Sequence, residues 1–370
     1  MTHTGRQLTS TLGSDGTQVL EVREREFPAP TGNQVLVRME AAPINPSDLA
    51  LMTAGADVAS AQFEPGKVTM QVHPAFAAGQ AARHGKAQKL GNEGAGTVVA
   101  AGEGEMAQAL LGQRVACVPG SAYSQYAYAE AMMCMPLGDH SAEQGAGSFV
   151  NPMTALGFVE TAKREGHQAI VHAAAASNLG QMLNRICQED GIGLVNLVRR
   201  GEQVELLKGQ GAAHVVDSSA DGYEAALAEA IGATGAFLGF DPIGGGRTTD
   251  TILRAMERVA ASKMTEFNRY GSDQPKKMYI YGRLDPSPTT LTPTYGFGWT
   301  VSGWLLTPFL ASCDLPTVIG LRQRVLDGLE TTFASTYKTR VGLDEMLTKE
   351  AMTGYAQMAT GEKYLVTPQA

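Results

Sequence analysis

The stretch IVHAAAASNLGQMLNRI, from Ile170 to Ile186, runs from a buried strand pattern through a turn of small residues straight into a helix. That order suits a dinucleotide. Small side chains let the backbone approach a pyrophosphate, and the N–H groups and dipole of a helix N-terminus face the anion. Counting back from Gly180, a G-x-G-x-x-G turn would place its other glycines at Ala175 and Ser177, so two of the three are replaced. An ordinary tight turn in an α/β protein is the alternative reading at this point.

The next strand pattern, GLVNLVRR, ends in Arg199 and Arg200, where an NAD-preferring site carries an acidic residue for the ribose hydroxyls. A guanidinium offers a planar fork and a permanent positive charge to a phosphate. The pair predicts that Arg199, with Arg200 beside it, holds the 2′-phosphate of NADPH; the alternative is a solvated pair at a strand end. Metal-binding spacing is missing. Cys117, Cys134, Cys187 and Cys313 form no C-x-x-C pair, and none of the seven histidines joins a Cys pair in a ligand set. The cysteines read as scattered small hydrophobes in a reducing compartment rather than a disulfide framework.

These residues need elements to position them. A chain of 370 residues predicts two domains, each burying its own core. No apolar run reaches the roughly 18 residues of a membrane span. The first residues lack the apolar core of a secretory signal, which predicts a cytoplasmic address. With 29 basic and 37 acidic residues the net charge is -8, so neither nucleic acid nor an anionic membrane is an expected partner.

From residue 17 to about 135, short β-branched or alternating runs broken by Gly and Pro predict a β-rich domain. Inside it, Thr53 to Lys89 is rich in Ala, Gly and Gln and reads as a long loop with one short helix, a candidate lid over a substrate. After Asn151 and Pro152, which start a helix, continuous apolar strands alternate with helices and predict a parallel sheet covered on both faces. The tail, with FASTYKTR and KYLVTP read as strands around a helix, is expected to return to the first domain.

In this order, AAPINPSDLALMTAG, LGNEGAGTVV, VNPMTALGFV, GFDPIGGG and YGRLDPSPTTL resemble the medium-chain dehydrogenase/reductase superfamily, on its zinc-independent branch of quinone oxidoreductases and enoyl thioester reductases. The match runs from about residue 15 to the end. It implies an α/β fold: a Rossmann doubly wound parallel sheet binding NADPH at 151–330, joined to a GroES-like β-rich domain at 1–150 and 331–370. It also implies an active site in the cleft between them, and a homodimer. The family's A-x-x-G-x-x-G turn falls on Ala174, Ser177 and Gly180, with Asn178 and Leu179 between the last two; Ser177 is a departure. Tyr281 and Gly282, ending KMYIYG, join the cofactor contacts by the same resemblance, and Trp299 and Trp304 fall in the last Rossmann strand segment, which lines the nicotinamide pocket.

The resemblance places the zinc ligands of related alcohol dehydrogenases on Asn45, Asn92 and Asn151, three neutral amides that would bind zinc poorly. No metal is expected. Without a Lewis acid, alkoxide chemistry is disfavoured, and hydride donation to an electron-poor carbon is what remains. Asn45 is implied near the nicotinamide, as an amide donor to a cofactor or substrate oxygen, and Thr154 in the same cleft. The alternatives are a turn Asn before Pro46 and a Thr bonded to its own helix. Enoyl thioester reductases carry a catalytic Tyr soon after NPSD, whereas no Tyr occurs here between Asn45 and Asn92. Tyr123 or Tyr126 is the replacement proton donor to consider. The expected activity is NADPH-dependent reduction of a small-molecule electron acceptor, a quinone or other activated alkene or carbonyl. The alternatives are a 2-enoyl thioester reductase and a non-catalytic NADPH-binding protein.

Overall fold

In the computed structural model, which describes residues 2–370, strand β1 (His3–Leu12) pairs antiparallel with β2 (Thr17–Phe27), from His3 opposite Phe27 to Leu12 opposite Gln18. Leu8, Ser10 and Leu12 alternate inward along β1, the period of two that a half-buried strand requires. Next comes β3 (Gln34–Pro43). The segment expected to be a loop then supplies β4 (Gln62–Glu64), β5 (Lys67–Gln71) and β6 (Gln88–Lys89), besides a helix at Pro74–Gly79. It is part of a sheet, in the order β4-β5-β2-β1-β6, with Val68 and Met70 buried. That corrects the reading of Thr53 to Lys89 as a long loop. Strands of two to five residues are too short to show a period against an Ala- and Gln-rich background.

β7 (Gly94–Ala101), β8 (Arg114–Cys117), β9 (Tyr126–Glu130) and β10 (Cys134–Pro136) gather around β3. The second unit, Asn151–Gln323, then holds six parallel strands: β11 (Ala169–Ala173), β12 (Gly193–Val198), β13 (His214–Asp217), β14 (Leu238–Asp241), β15 (Lys276–Ile280) and β16 (Trp299–Gly303). Their order is β13-β12-β11-β14-β15-β16. Every residue of β11 is buried, as its uninterrupted apolar run predicts for a strand covered on both faces. The direction of strand addition reverses between β11 and β14. In such sheets ligands bind beyond the C-terminal ends of the strands at that reversal.

The chain returns with β17 (Thr339–Val341) and β18 (Tyr364–Val366). β18 adds to β3, Leu365 opposite Pro43 and Val366 opposite Ala42, completing the sheet β10-β8-β7-β3-β18-β17. The first unit is therefore 1–150 with 324–370. Among the described residues no helix is long and apolar enough to cross a membrane.

Candidate active site and nucleotide cradle

At the end of β11 the backbone turns through Ala174, whose φ of 50° is left-handed. For a residue with a Cβ this costs of order 1 kcal/mol, a strain typical of ligand turns. Ser177 caps the helix Asn178–Asp190, its Oγ accepting from the Gly180 N–H at 3.1 Å. Where the motif departs from glycine, the serine thus does capping work. Gly180 cannot be replaced in the same way, because a Cβ there would stand 2.1 Å from the Ala175 carbonyl oxygen. Ala175, Leu179 and Gly180 are buried, whereas Ala174, Ser177 and Asn178 are half-buried along the turn.

One strand over, Arg199 and Arg200 follow β12 and are exposed. Arg200 pairs with Glu202 at 3.2 Å. The Arg199 backbone N–H donates to Gln203 Oε1, while its guanidinium has no hydrogen-bond or ion-pair partner among the described residues.

On the other side of the reversal, Asp241 ends β14 and is wholly buried. Its carboxylate accepts from the Ile243 N–H at 2.7 Å and the Thr249 hydroxyl at 2.8 Å, which shapes the glycine loop that follows. Burial raises its pKa. Tyr281 follows β15; its N–H donates to the Asp241 carbonyl, and its hydroxyl lies 2.8 Å from Nε2 of His172. His172 is fully enclosed, and burial pushes its pKa down to about 3, so the imidazole is neutral. Gly282 has a packing reason for its type, since a Cβ there would meet the Pro242 carbonyl oxygen at 2.5 Å. Behind Tyr281 lies an aromatic layer: Phe158 stacks on Phe240 at 4.0 Å and meets Tyr281 and Trp304 edge-on. Trp304 Nε1 donates to Thr161 Oγ1, so this tryptophan is held within the layer. Thr154 is buried one turn earlier on the Phe158 helix.

The first unit carries a second polar cluster. Asn45 precedes the helix Pro46–Met52, and Asp48 is its third residue. The Asp48 carboxylate accepts from the backbone N–H of Asn45 and from that of Asn92, each at 2.9 Å. One carboxylate therefore ties the NPSD turn to the GNEG turn. Asn92 Nδ2 adds a bond to Ser47 Oγ at 3.0 Å. Asn45 Nδ2 donates to Glu93 Oε1 at 2.7 Å, and Glu93 Oε2 accepts from the N–H groups of Phe149 and Val150, each at 2.9 Å. Burial raises the Glu93 pKa, and the nearby Lys363 ammonium opposes that shift. The Lys363 nitrogen is itself out of solvent, lies 5.5 Å from the centre of the Tyr337 ring, and has no hydrogen-bond partner.

Tyr123 is a correction. It is fully buried in the core of the first unit and its hydroxyl donates to the Pro43 carbonyl at 3.0 Å, so it has no proton to offer a ligand. Tyr126 packs against His3 and Phe27. Asn45 and Asn92 lie in one unit, joined through Asp48, and Asn151 belongs to the other. Among the described residues no three His, Cys, Asp or Glu side chains gather as a metal site. Sequence reasoning passed over Asp48 and Lys363. For Asp48 a signal existed, since an acidic residue three positions after an N-cap Asn is a capping-box pattern.

Asp48 also makes a pH prediction. It is 3% exposed, and burial raises its pKa from 3.8 to about 6. A folded-state pKa above the unfolded value means stability that is present below about pH 4 and lost as the pH rises through 6. At about 1.4 kcal/mol per pKa unit this is a decline of about 3 kcal/mol. Asp48→Asn is expected to flatten that slope in urea titrations between pH 4 and 7, and an unchanged slope would refute the assignment.

A six-stranded doubly wound sheet with a small-residue turn at its reversal, together with a separate β-rich unit, defines an α/β protein with an added β-domain. Residues 31–158 match the family model of the alcohol dehydrogenase GroES-like domain. A solved protein of Mesorhizobium loti assigned as an NADPH:quinone reductase is 27% identical, with a TM-score of 0.74 over 99% of this chain and 98% of that one. A mycobacterial structure in complex with NADPH is 18% identical, with a TM-score of 0.68 over 98% and 100%. An enoyl thioester reductase of Candida tropicalis, in a mutant form, is 18% identical, with a TM-score of 0.67 over 99% and 100%. In this domain and in its whole-length fold the chain is similar to the medium-chain dehydrogenase/reductase superfamily.

Proposed function

We propose that this protein is an NADPH-dependent oxidoreductase that, without a catalytic zinc, reduces a quinone or another activated alkene or carbonyl. The observation that carries the cofactor reading is the unspent guanidinium of Arg199, at the end of the strand beside the cradle. An adenosine 2′-phosphate is a natural partner for it. The small residues Ala174 to Ala176, the backbone contact that only glycine permits at position 180, and the N-terminus of the helix Asn178–Asp190 fit a pyrophosphate. NADPH, when bound, supplies the hydride.

The chain's own residues hold, orient and exclude water. Arg199 anchors the phosphate end, and the turn seats the pyrophosphate. The zinc-free reading rests on donor type: Asn45, Asn92 and Asn151 present neutral amides, and the side chains of Asn45 and Asn92 are engaged with Glu93 and Ser47. Glu93 fixes the rotamer of Asn45. With no tyrosine between Asn45 and Asn92, quinone reduction is favoured over enoyl thioester reduction, because hydroquinone oxygens take their protons from water.

Stopped-flow oxidation of NADPH against a quinone panel and a crotonyl thioester tests the acceptor. Turnover with quinones is expected; turnover with the thioester alone would replace the reading, and tight NADPH binding with no turnover would mark a non-catalytic protein. Arg199→Asp is expected to raise the Kd for NADPH about 10- to 100-fold, the worth of one or two charge-assisted bonds, while leaving NADH nearly unchanged. Equal loss for both cofactors would remove Arg199 from the phosphate site.

A further inference from the structure

Cys117 ends β8 and Cys134 begins β10, and the two stand directly opposite each other in the antiparallel pair. Their ladder position follows from the neighbouring bonds. The Leu137 N–H donates to the Arg114 carbonyl at 2.9 Å, which makes that pair hydrogen-bonded. Pairs alternate along an antiparallel ladder, so Pro136 with Val115 is non-hydrogen-bonded, as a residue without an N–H requires, and so is Cys134 with Cys117. In such pairs the Cα atoms are about 4.5 Å apart and the side chains are at their closest, within the span a disulfide bridges. The Cys134 thiol donates to the Glu130 carbonyl at 3.6 Å, and no disulfide joins the two cysteines.

We propose that Cys117 and Cys134 form a redox-sensitive dithiol that closes to a disulfide under peroxide. β10 is a three-residue strand at the edge of its sheet, preceded by the exposed Met132. Cys134 is 8% exposed and Cys117 0%, so reaction waits on local opening of that edge, and Cys134 meets the oxidant first. Its thiolate attacks hydrogen peroxide; the O–O bond breaks, hydroxide leaves and takes up a proton, and a sulfenic acid forms. The Cys117 thiolate then attacks that sulfur; the S–S bond forms, the S–O bond breaks, and a second hydroxide leaves and is protonated. Two thiols are oxidised, one peroxide is reduced, and two waters are produced. Because the facing Cys134 thiol and burial hold the Cys117 pKa well up, closure is slow. The product staples an edge strand to its neighbour.

The test uses the intact protein in a Cys187→Ser/Cys313→Ser background, treated with hydrogen peroxide and mapped by peptide mass spectrometry. A Cys117–Cys134 crosslink reversed by dithiothreitol is expected, together with a rise in Tm of about 5 °C or more, as loop closure in the unfolded chain predicts. Adding Cys134→Ser should abolish both. Mapping of unmutated protein gives the same answer without any variant. Sulfinic acid at Cys134 with no crosslink, both thiols still free after prolonged peroxide, or a crosslinked form that melts lower would each overturn the proposal.

Discussion

Gly180→Ala is expected to weaken NADPH binding by at least about 100-fold and to lower the melting temperature of the second unit. The added Cβ would lie 2.1 Å from the Ala175 carbonyl oxygen and 2.6 Å from its carbon. Both are backbone atoms, so no side chain can swing away. Either the helix Asn178–Asp190 backs off from β11 or the turn opens, and each breaks the 3.1 Å bond from the Gly180 N–H to the Ser177 hydroxyl. Overpacking of this kind costs about 1–3 kcal/mol, with a rigid backbone contact at the upper end. A displaced helix N-terminus would also lose its anion, and about 2.7 kcal/mol corresponds to the 100-fold loss. Ser177→Gly makes the contrast. It gives up only a cap, worth a few tenths of a kcal/mol when glycine replaces it, and should bind NADPH within about threefold of wild type. Fluorescence titration with NADPH and thermal melting followed by circular dichroism read both variants. If Gly180→Ala bound normally while Ser177→Gly did not, the turn would not be the cofactor cradle.

Glu93→Ala is expected to destabilise the first unit by about 3–5 kcal/mol, enough to leave little folded protein. The side chain is wholly buried and satisfies three donors: the Asn45 amide and the N–H groups of Phe149 and Val150. Removing it strands those donors and takes away a carboxylate that favours the charged form of Lys363. Glu93→Gln is more informative because it folds more readily. A glutamine has one acceptor oxygen, so its NH₂ group must face either the two backbone N–H groups or the Asn45 NH₂, a donor against a donor. Combining Glu93→Gln with Asn45→Asp reverses the polarity of that single contact. The glutamine oxygen keeps the backbone pair, and its NH₂ donates to the new carboxylate at position 45. The double variant should therefore recover stability relative to Glu93→Gln, with a coupling energy of about 1 kcal/mol or more in urea unfolding. Additive losses in the double variant would show that the Asn45 to Glu93 bond is not what holds this cluster.

By itself the sequence determined the alternating strands and helices of the second unit, the turn from Ala174 to Gly180, the position of Arg199 after β12, and the return of the tail to the first unit. Those features are legible because a β-strand, its turn and its crossover helix are contiguous in the chain, so local order and periodicity carry the topology. The quoted motifs carried the family resemblance. Only the tertiary structure decided what the polar side chains of the first unit do. Asp48 reaches Asn92 across 44 residues and Asn45 reaches Glu93 across 48, contacts that no local pattern encodes. Tyr123, a candidate proton donor by residue type, is instead a core residue bonded to a carbonyl 80 positions away. The Thr53 to Lys89 segment becomes strands because β1 and β2 offer it open edges, and pairing with a preformed edge lets very short strands form where their own propensity would not. Two cysteines that share no motif spacing meet for the same reason, since β-sheet register brings together residues that lie far apart along the chain.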